Sequence, residues 1–326
     1  MSSELFTEDL FSKVLLQPAN NNGSDLYIVS GYASSAMVFH HTEKLKKQEI
    51  DINVHLIIGM AGSDGLSKTN HLGFKNLMEN ELSGKFECSY LINHPPVHSK
   101  VYSWLRGDIP IKGFAGSANY SQKAFIGNSQ REVATECNPL HAYKYYQSLI
   151  DDTLFCTHQD AEEVIALYSD NRTVLSNHNA IEEENGDYEP TLGLENEKIS
   201  FINRSGKISE RSGLNWGKRE GREPNQAYIP LKADLYNSDF FPPVGQHFTI
   251  NTDDGKILLC SRAQQNGKAI HTPHNNSQLG EYFRNRLNVA NGELVTMDDL
   301  LNYGRVDIDF YKVDEENYFM DFSVKK

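Results

Sequence analysis

Two short motifs, His98-Ser99-Lys100 and Gly116-Ser117-Ala118-Asn119, contain side chains suited to chemistry on a phosphate group. An imidazole can attack phosphorus near neutral pH, and a lysine ammonium can hold the non-bridging oxygens as a compact positive charge. Asn119 can add a neutral hydrogen bond, while Ser117 can either contact the phosphate or fix the loop. Each motif alone is common in surface strands and turns, so the prediction of a phosphodiester-cleaving site depends on their joint occurrence.

Two predicted strands would place these motifs at one end of a sheet. Residues two apart on a strand point to the same face, so His98 and Lys100 share a face if residues 97–105 form a strand. A second apolar run, residues 111–114, predicts another strand, after which Gly116 allows a tight turn. We therefore expect the two motifs to meet where these strands end.

The reaction needs a second imidazole, because one histidine attacks phosphorus while another protonates the leaving oxygen. The motif occurs once, so we expect a homodimer in which His98 from each subunit faces the same phosphate. His94, beside two prolines, is the alternative acid within one chain. Glu132 is the carboxylate expected to orient His98 through its other ring nitrogen, and Glu136 competes for that role if the segment is helical.

Other phosphate chemistries lack their usual motifs in this sequence. Gly255-Lys256 and Gly267-Lys268 have neither the upstream glycine nor the Ser or Thr of a nucleotide-binding loop. No closely spaced carboxylate cluster indicates a magnesium site, and the four cysteines are too scattered for a zinc knuckle or a disulfide framework. We predict cleavage without a metal or another cofactor, so any ATP requirement would lie in a partner protein.

Apolar periodicity divides the chain into three parts. Strands alternate with helices in residues 1–170, which predicts a layered α/β domain. Residues 171–199 are polar and acidic and predict a linker, with an acidic surface excursion of a single domain as the alternative. Short apolar stretches separated by turns in residues 200–326 predict a mostly-β barrel or sandwich, with helices at 277–287 and 296–301.

Within the first part, the pattern predicts individual elements. They are strands at 25–31, 53–60 and 85–92, and helices at 33–47, 68–82, 140–153 and 162–168. The adjacent histidines His40 and His41 fall in the 33–47 helix, and we expect them on its surface.

The distribution of charge matters more than the net charge of −13, because local charge governs contact with phosphates. Residues 200–326 carry 16 basic and 17 acidic side chains, whereas residues 171–199 carry two and seven. Residues 203–222 contain six basic groups against two acidic ones. This segment is therefore the candidate anion-binding surface of the second half.

The sequence contains no signal for a membrane. No run of about 18 apolar residues occurs, and residues 1–16 lack both a basic start and a long apolar stretch. Together with the scattered cysteines, this pattern predicts a cytoplasmic protein that has no membrane partner.

The first motif, with Gly116-Ser117-Ala118-Asn119-Tyr120-Ser121, resembles the phospholipase D superfamily, particularly its single-motif nucleases that act as dimers. Many members have an acid where Leu105 stands here, and the nearest acid, Asp108, is displaced. Residues 211–217, 227–230 and 279–284 resemble the specificity domain of NgoAVII- or NgoFVII-type restriction endonucleases, which are related to BfiI. That domain is similar to the plant B3 fold, an open seven-stranded barrel that grips the DNA major groove with two arms.

The resemblance implies a type II-like restriction endonuclease acting on double-stranded DNA. Its phospholipase D-like nuclease domain would be residues 1–170, its B3-like DNA-binding domain residues 200–326, and its intermediate a covalent phosphohistidine at a site shared by two subunits. Some relatives work with a separate helicase-like ATPase, which is a further expected partner. Two other functions stay open: a phospholipase D-type lipid phosphodiesterase and a non-catalytic B3-type DNA-binding regulator.

Carried onto this sequence, the two arms would be about residues 204–222 and 261–271. Arginine and lysine can address guanine edges, and glutamine or asparagine can address adenine. The candidate DNA-binding residues in and near the arms are Arg204, Lys207, Ser209, Arg211, Asn215, Lys218, Arg219, Arg222, Arg262, Gln264, Gln265 and Lys268. Trp216 is interpreted as a packing anchor.

Overall fold

The computed structural model describes residues 4–127, 130–168, 193–203 and 205–324. The chain folds as two separate units, Met1–Ser169 and Asp170–Lys326. Most of the linker expected at 171–199 lies outside the described residues. At the end of that segment, Glu195–Ser200 already forms a strand of the second unit.

The first unit is built on a large mixed sheet. Its strands are β1 (Leu5–Phe6), β2 (Asp25–Ser30), β3 (Asn53–Ile58), β4 (Leu66–Ser67), β5 (Phe86–Leu91), β6 (Lys100–Arg106), β7 (Ile109–Gly116), β8 (Ala134–Cys137), β9 (Thr153–Phe155) and β10 (Leu167–Tyr168). Eight of them form one sheet in the order β1-β8-β7-β6-β2-β3-β5-β9, and β4 pairs with β10. The central strands β2, β3 and β5 are parallel, whereas β6, β7 and β8 follow one another as antiparallel neighbours.

Helical segments connect these strands. The α-helical ones are Gln17–Asn20, Ser35–Lys46, Ala61–Asp64, Lys68–Asn76, Gln122–Phe125, Pro139–Gln147 and Ala161–Val164, the π-helical ones are Phe11–Leu16 and Leu77–Glu81, and Ile150–Asp152 is a 3₁₀ turn. Two of the longer helices begin at a capping serine, because the Ser34 and Ser67 hydroxyls accept from the amides of Met37 and Asn70. In the described part of the chain, every helix is too short or too polar to cross a membrane.

His40 and His41 are buried, so the prediction that they lie on a helix surface was wrong. Their helix is buried on most of its circumference, and Phe11 packs against both imidazoles. His41 Nδ1 lies 2.9 Å from the Tyr120 hydroxyl, and its Nε2 lies 3.1 Å from the Leu15 carbonyl oxygen. Burial lowers the pKa of His40 to about 3 and that of His41 to about 4, so both are neutral at pH 7.

Three predicted elements of this unit have different bounds in the structure. The strand expected at 97–105 begins at Lys100, so His98 precedes it. The helix expected at 140–153 ends at Gln147, because Thr153–Phe155 pairs with β5. The helix expected at 162–168 stops at Val164, because β10 pairs with β4.

The second unit is a seven-stranded, nearly closed barrel, as the mostly-β prediction requires. Its strands are β11 (Glu195–Ser200), β12 (Ile229–Pro230), β13 (His247–Thr252), β14 (Ile257–Ala263), β15 (Ala269–His271), β16 (Asp307–Lys312) and β17 (Asn317–Asp321), in the order β11-β16-β17-β13-β14-β15-β12. All six residues of β13 are buried, and the alternate residues Phe248 and Ile250 join the apolar core of this unit.

Short helices accompany the barrel. They are the α-helices Ala233–Tyr236, Ser277–Leu287 and Met297–Tyr303 and the 3₁₀ segments Gly213–Lys218 and Gln265–Gly267. Ser277–Leu287 matches the predicted helix in both bounds, and it packs Leu279, Phe283 and Leu287 into the core. Thr296 begins the last helix with a capping box, because its hydroxyl and the Asp299 carboxylate each accept from the other residue's amide.

Candidate active site and candidate nucleic-acid interface

One row of paired residues crosses the first sheet at a single edge. Successive partners along this row are Ile58, Ser30, Lys100, Gly116 and Ala134. Strands β2 and β7 end there, and β6 and β8 begin there or next to it. The segments just beyond these ends therefore lie side by side, and they contain Tyr32, His98, Ser117, Asn119 and Glu132.

His98 and Lys100 are in contact at this edge. Lys100 Nζ lies 3.1 Å from His98 Nδ1 and 3.2 Å from Nε2, and it donates to the His98 carbonyl oxygen at 2.5 Å. The lysine is 5% exposed, whereas His98 is exposed. Burial lowers the pKa of Lys100, and the negative charge of Glu132 opposes that shift. A cation with so little solvent around it interacts strongly with an anion that enters the site.

The side-chain amide of Asn119 is fixed by the end of β2. Its Oδ1 accepts from the Tyr32 amide at 3.1 Å and from the Ser30 hydroxyl at 3.5 Å. Because the carbonyl side of the amide is occupied, its Nδ2 group is the donor left for a ligand; among the described residues it has no hydrogen-bond partner. This geometry supports the predicted role of Asn119 as a neutral donor to phosphate.

Ser117 fixes the loop after β7. Its hydroxyl donates to the Glu132 carboxylate and accepts from the Val133 amide at 3.0 Å, and its own amide donates to the Val133 carbonyl oxygen at 3.0 Å. Of the two roles considered for Ser117, the contacts favour fixing the loop.

Glu132 does not orient His98 within one chain, so that prediction was wrong for the single subunit. Its carboxylate bonds Ser117, and among the described residues it has no hydrogen bond to the imidazole. Glu136 does not compete for the role either, because it lies on strand β8 and pairs with Lys112 at 2.7 Å.

Two glycines allow close approach of backbone at the site. A Cβ on Gly116 would lie 2.1 Å from the Val133 carbonyl oxygen, so this residue lets β8 pair closely with β7 and is not the turn glycine we expected. A Cβ on Gly31 would lie 3.1 Å from His98 Cδ2 and 3.3 Å from Lys100 Nζ. The segment at the end of β2 therefore packs directly against His98 and Lys100.

Tyr32 is a site residue that the sequence analysis missed. Its ring meets the His98 ring edge-on, with centroids 5.7 Å apart, and its hydroxyl donates to the Asp64 carboxylate at 2.5 Å. That hydrogen bond raises the pKa of Tyr32 to about 12. The available signal was its place after a predicted parallel strand, since sites form at the carboxyl ends of such strands.

The other acids and histidines considered from the sequence lie apart from this cluster. Leu105 is 2% exposed, and Asp108 lies in the turn between β6 and β7, at the opposite end of the hairpin from Lys100. His94 is exposed, and in the described structure it has no hydrogen bond to His98 or Lys100. Nor do the described residues include a group of three or more His, Cys, Asp or Glu that could hold a metal ion.

The first arm is the segment between β11 and β12. It exposes four of the predicted DNA-binding residues, Lys207, Arg211, Arg219 and Arg222, and it half-buries Ser209 and Lys218. Arg219 Nε donates to the Arg211 carbonyl oxygen at 2.7 Å, and Lys218 Nζ contacts the Gly292 carbonyl oxygen. Arg204 lies outside the described residues.

Asn215 is a structural residue, so its assignment to DNA binding was wrong. It is fully buried, and its amide donates to the carbonyl oxygens of Ser209 and Val295 and accepts from the Val295 amide. These bonds tie the first arm to the segment before the last helix, and they use both ends of the side-chain amide.

The second arm is the turn between β14 and β15. It exposes Gln264, Gln265 and Lys268. Arg262 is 8% exposed, however, and its assignment to DNA binding was wrong. Its guanidinium donates to four backbone carbonyl oxygens, those of Gly267, Pro242, Tyr236 and Asn266, so it stabilises the turn from within.

The fold and the site together define a phospholipase D-like domain followed by a B3-like barrel. Residues 8–163 match the family model described as the NgoFVII restriction endonuclease N-terminal PLD domain. Residues 191–314 match the model described as the NgoFVII C-terminal B3-like DNA-binding domain. The two matches take in most of the chain, which therefore belongs to the NgoFVII restriction endonuclease family.

Solved structures of similar proteins each cover less than half of this chain. NucT from Helicobacter pylori is 16% identical with a TM-score of 0.33, and the match covers 47% of this chain and 98% of that one. Nuc, a phospholipase D family member from Salmonella typhimurium, is 15% identical with a TM-score of 0.34, covering 47% of this chain and 97% of that one. A comparison with curated proteins finds no match.

Proposed function

We propose that this chain is a restriction endonuclease that cleaves double-stranded DNA, without a metal, at a site shared by two subunits. The observation that carries the proposal is the convergence of His98, Lys100 and Asn119 at one sheet edge, in a chain whose second unit belongs to a DNA-binding family. The three side chains supply a nucleophile, a charge for the non-bridging oxygens and a neutral donor.

The first step forms a covalent intermediate. A ring nitrogen of one His98 attacks the phosphorus, an N–P bond forms, and the bond from phosphorus to the leaving oxygen breaks. The leaving oxygen takes a proton from the imidazolium of the partner subunit's His98, because the first ring cannot attack and protonate together. Lys100 and the Asn119 amide stabilise the charge on the equatorial oxygens.

The second step releases the product. Water attacks the phosphorus opposite the N–P bond and gives its proton to the partner subunit's His98, which is now neutral. The N–P bond then breaks, and both imidazoles return to their starting states. This scheme needs two copies of one motif facing each other, which a two-fold axis provides.

The second unit would bring the nuclease to its sequence. The exposed Lys207, Arg211 and Arg219 of the first arm suit the DNA backbone, and the exposed glutamines of the second arm suit adenine edges. A separate helicase-like ATPase would supply any ATP hydrolysis. The four free cysteines are compatible with the reducing cytoplasm that we propose as its location.

The test is cleavage of genomic DNA in excess EDTA by the full chain and by His98→Ala. We expect the wild-type chain to cut at defined sequences and the variant to lose cleavage by at least about 10³-fold, because no nucleophile remains. The variant should still bind the cut sequence, since His98 lies in the other unit. Sequencing of the fragment ends reports the site, with ATP and cell extract added in parallel reactions.

Two results would contradict the proposal. Cleavage that depends on added Mg²⁺ would exclude the metal-free scheme, and full activity of His98→Ala would exclude the nucleophile. Trapping the phosphorylated protein with labelled DNA at acid-quenched early times separates the covalent scheme from direct attack by water.

A further inference from the structure

The first arm carries a stacked pair, Trp216 and Arg222. The Arg222 guanidinium carbon lies over the Trp216 ring, 3.7 Å from its centroid. Tyr228 meets the same indole edge-on, with ring centroids 5.5 Å apart and planes at 81°. The indole is therefore held from the side by Tyr228 while one of its faces carries the guanidinium.

The backbone around this pair is tied at both ends. The Gly217 amide donates to the Gln226 carbonyl oxygen at 2.7 Å, and the Arg222 amide donates to the Arg219 carbonyl oxygen. A Cβ on Gly217 would lie 2.3 Å from the Pro224 carbonyl oxygen, so the two branches of the loop are in direct contact. An exposed arginine is usually free to move, but this one sits on a closed loop.

A second contact orients the guanidinium within its plane. Arg222 Nη1 donates to the Gln226 side-chain oxygen at 2.9 Å. Stacking restricts the tilt of the plane, and the hydrogen bond restricts its rotation. Across the part of the chain that the structure describes, Nε and Nη2 of this exposed residue have no hydrogen-bond partner. Arg222 thus presents a planar set of donors whose orientation is fixed before a ligand binds.

We infer that Arg222 reads a guanine in the recognition sequence, and that Trp216 and Gln226 position its guanidinium for that contact. The inference rests on the proposed function, since it requires the second unit to bind double-stranded DNA. Guanine offers two acceptors, O6 and N7, on its major-groove edge, and a guanidinium matches them with two parallel donors.

A contact with phosphate would not need this arrangement. Phosphate oxygens accept from a flexible point charge, as Lys207 can provide at the same arm. Reading a base edge requires a fixed plane, and among the exposed basic residues of the described arms only Arg222 is stacked on an aromatic ring. The guanine contact is therefore the one that explains both restraints.

The test is selection of bound sequences from a pool of random DNA duplexes. The full chain carries His98→Ala throughout, so that bound DNA is not cut, and it is compared with the same chain also carrying Arg222→Lys or Arg222→Ala. Lysine keeps the charge but loses the planar fork. Lys256→Ala, in the turn between β13 and β14 outside both arms, controls for the loss of one positive charge.

We expect the intact arm to select a motif with guanine at one position that both Arg222 variants lose, with the other positions unchanged. The intact arm should bind the motif more tightly than the same duplex altered at that guanine. In each Arg222 variant, this preference should fall by about 5- to 150-fold. Trp216→Leu should weaken the same preference, and its folding is checked by thermal unfolding. If it does not fold, Arg222→Lys decides the matter alone.

The outcomes that overturn the inference are separable. A motif that is unchanged in Arg222→Ala overturns it, as does an equal loss of affinity for all sequences with a shallower salt dependence, which identifies a phosphate contact. An intact arm that selects no sequence at all overturns the proposed function, and this inference with it.

Discussion

The contacts of Asn119 show how a single amide can be prepared for a ligand before the ligand arrives. The Tyr32 amide donates to its Oδ1, and the Ser30 hydroxyl lies 3.5 Å from the same atom, so the amide cannot flip without losing the hydrogen bond from Tyr32. In the proposed scheme, the Nδ2 group can then donate to phosphate without any reorientation of the amide.

Replacing Asn119 by aspartate is a stringent test of this arrangement. Aspartate keeps the acceptor for Tyr32 and Ser30, but it replaces the donor with a negative charge next to phosphate. We expect the single-turnover cleavage rate to fall at least about 100-fold, while binding of the recognition sequence changes little. Asn119→Ser, which can still donate, should lose less than the aspartate variant. Equal rates for aspartate and wild type would remove Asn119 from the reaction.

Side-chain type indicated the chemistry of several residues but not their neighbours. His98 and Lys100 are in contact, as expected. Asn215 and Arg262 are residue types that often contact DNA, but both are buried here and have structural roles. Arg262 is satisfied by carbonyl oxygens as far away as Tyr236, and Asn215 by Val295. Such partners are defined by the folded chain, so the sequence around each residue held no indication of them.

At the scale of elements, the helix Ser35–Lys46 contains two adjacent buried histidines. It places two neutral imidazoles in the interior of the first unit, and His41 links the helix to Leu15 and Tyr120. Because Tyr120 directly follows Asn119, the helix also supports the loop that carries the amide. Protonation of His41 would therefore disturb the loop that carries Asn119.

These histidines predict a loss of stability in mild acid. Burial lowers both pKa values in the folded chain, to about 3 and about 4, whereas unfolding returns each to about 6.5. Below pH 6.5 the unfolded chain binds more protons, so the free energy of unfolding falls as pH decreases toward 4. The effect is about 3 kcal/mol for His41 alone, and thermal unfolding between pH 7 and pH 4 measures it.

A variant separates these groups from the acidic residues that also titrate. His41→Gln, which can still hydrogen-bond, should be less stable at pH 7 yet lose less stability between pH 7 and pH 4. A pH profile that is parallel in the two proteins would show that His41 contributes nothing to the acid sensitivity.

Elements with a strong period were the easiest to predict. The helix Ser277–Leu287 was bounded correctly because four apolar residues repeat on one side of it and polar segments flank it. The row from Ile58 to Ala134 was not predictable, since register depends on pairing between strands far apart in sequence. The sequence therefore identified the motifs of the candidate site, and the strand pairing explains why these motifs lie at one edge of the sheet.

At the scale of the molecule, one chain supplies half of the proposed chemistry. The described part of the first unit brings one His98 to the sheet edge, while the scheme uses two. The carboxylate of Glu132 is likewise committed to Ser117 within its own subunit. A second copy is thus a chemical requirement of the proposal.

Mixing subunits tests that requirement. When wild-type and His98→Ala chains are combined in equal amounts and allowed to exchange, about a quarter of random dimers contain both of the His98 residues that the shared site requires. We expect cleavage to fall to about that fraction of an all-wild-type sample of the same total concentration. Chains that act alone would retain about half, because each wild-type chain then works independently.

The control is an assay of the mixture at different times during subunit exchange. The same mixture assayed before exchange should retain about half of the activity and then decline as mixed dimers form. Tagged subunits verify that exchange has occurred. If the cleavage activity of the mixture still stays at half after exchange, a shared site is contradicted.

In the second arm, the residue that stabilises the turn is different from the residues proposed to contact DNA. The guanidinium of Arg262 holds four carbonyl oxygens beneath the turn, while Gln264, Gln265 and Lys268 stand outside. The outer three can be exchanged without removing any of the bonds that give the turn its course. Under the proposed function, libraries built at those positions with Arg262 left in place would yield chains with altered target sequences.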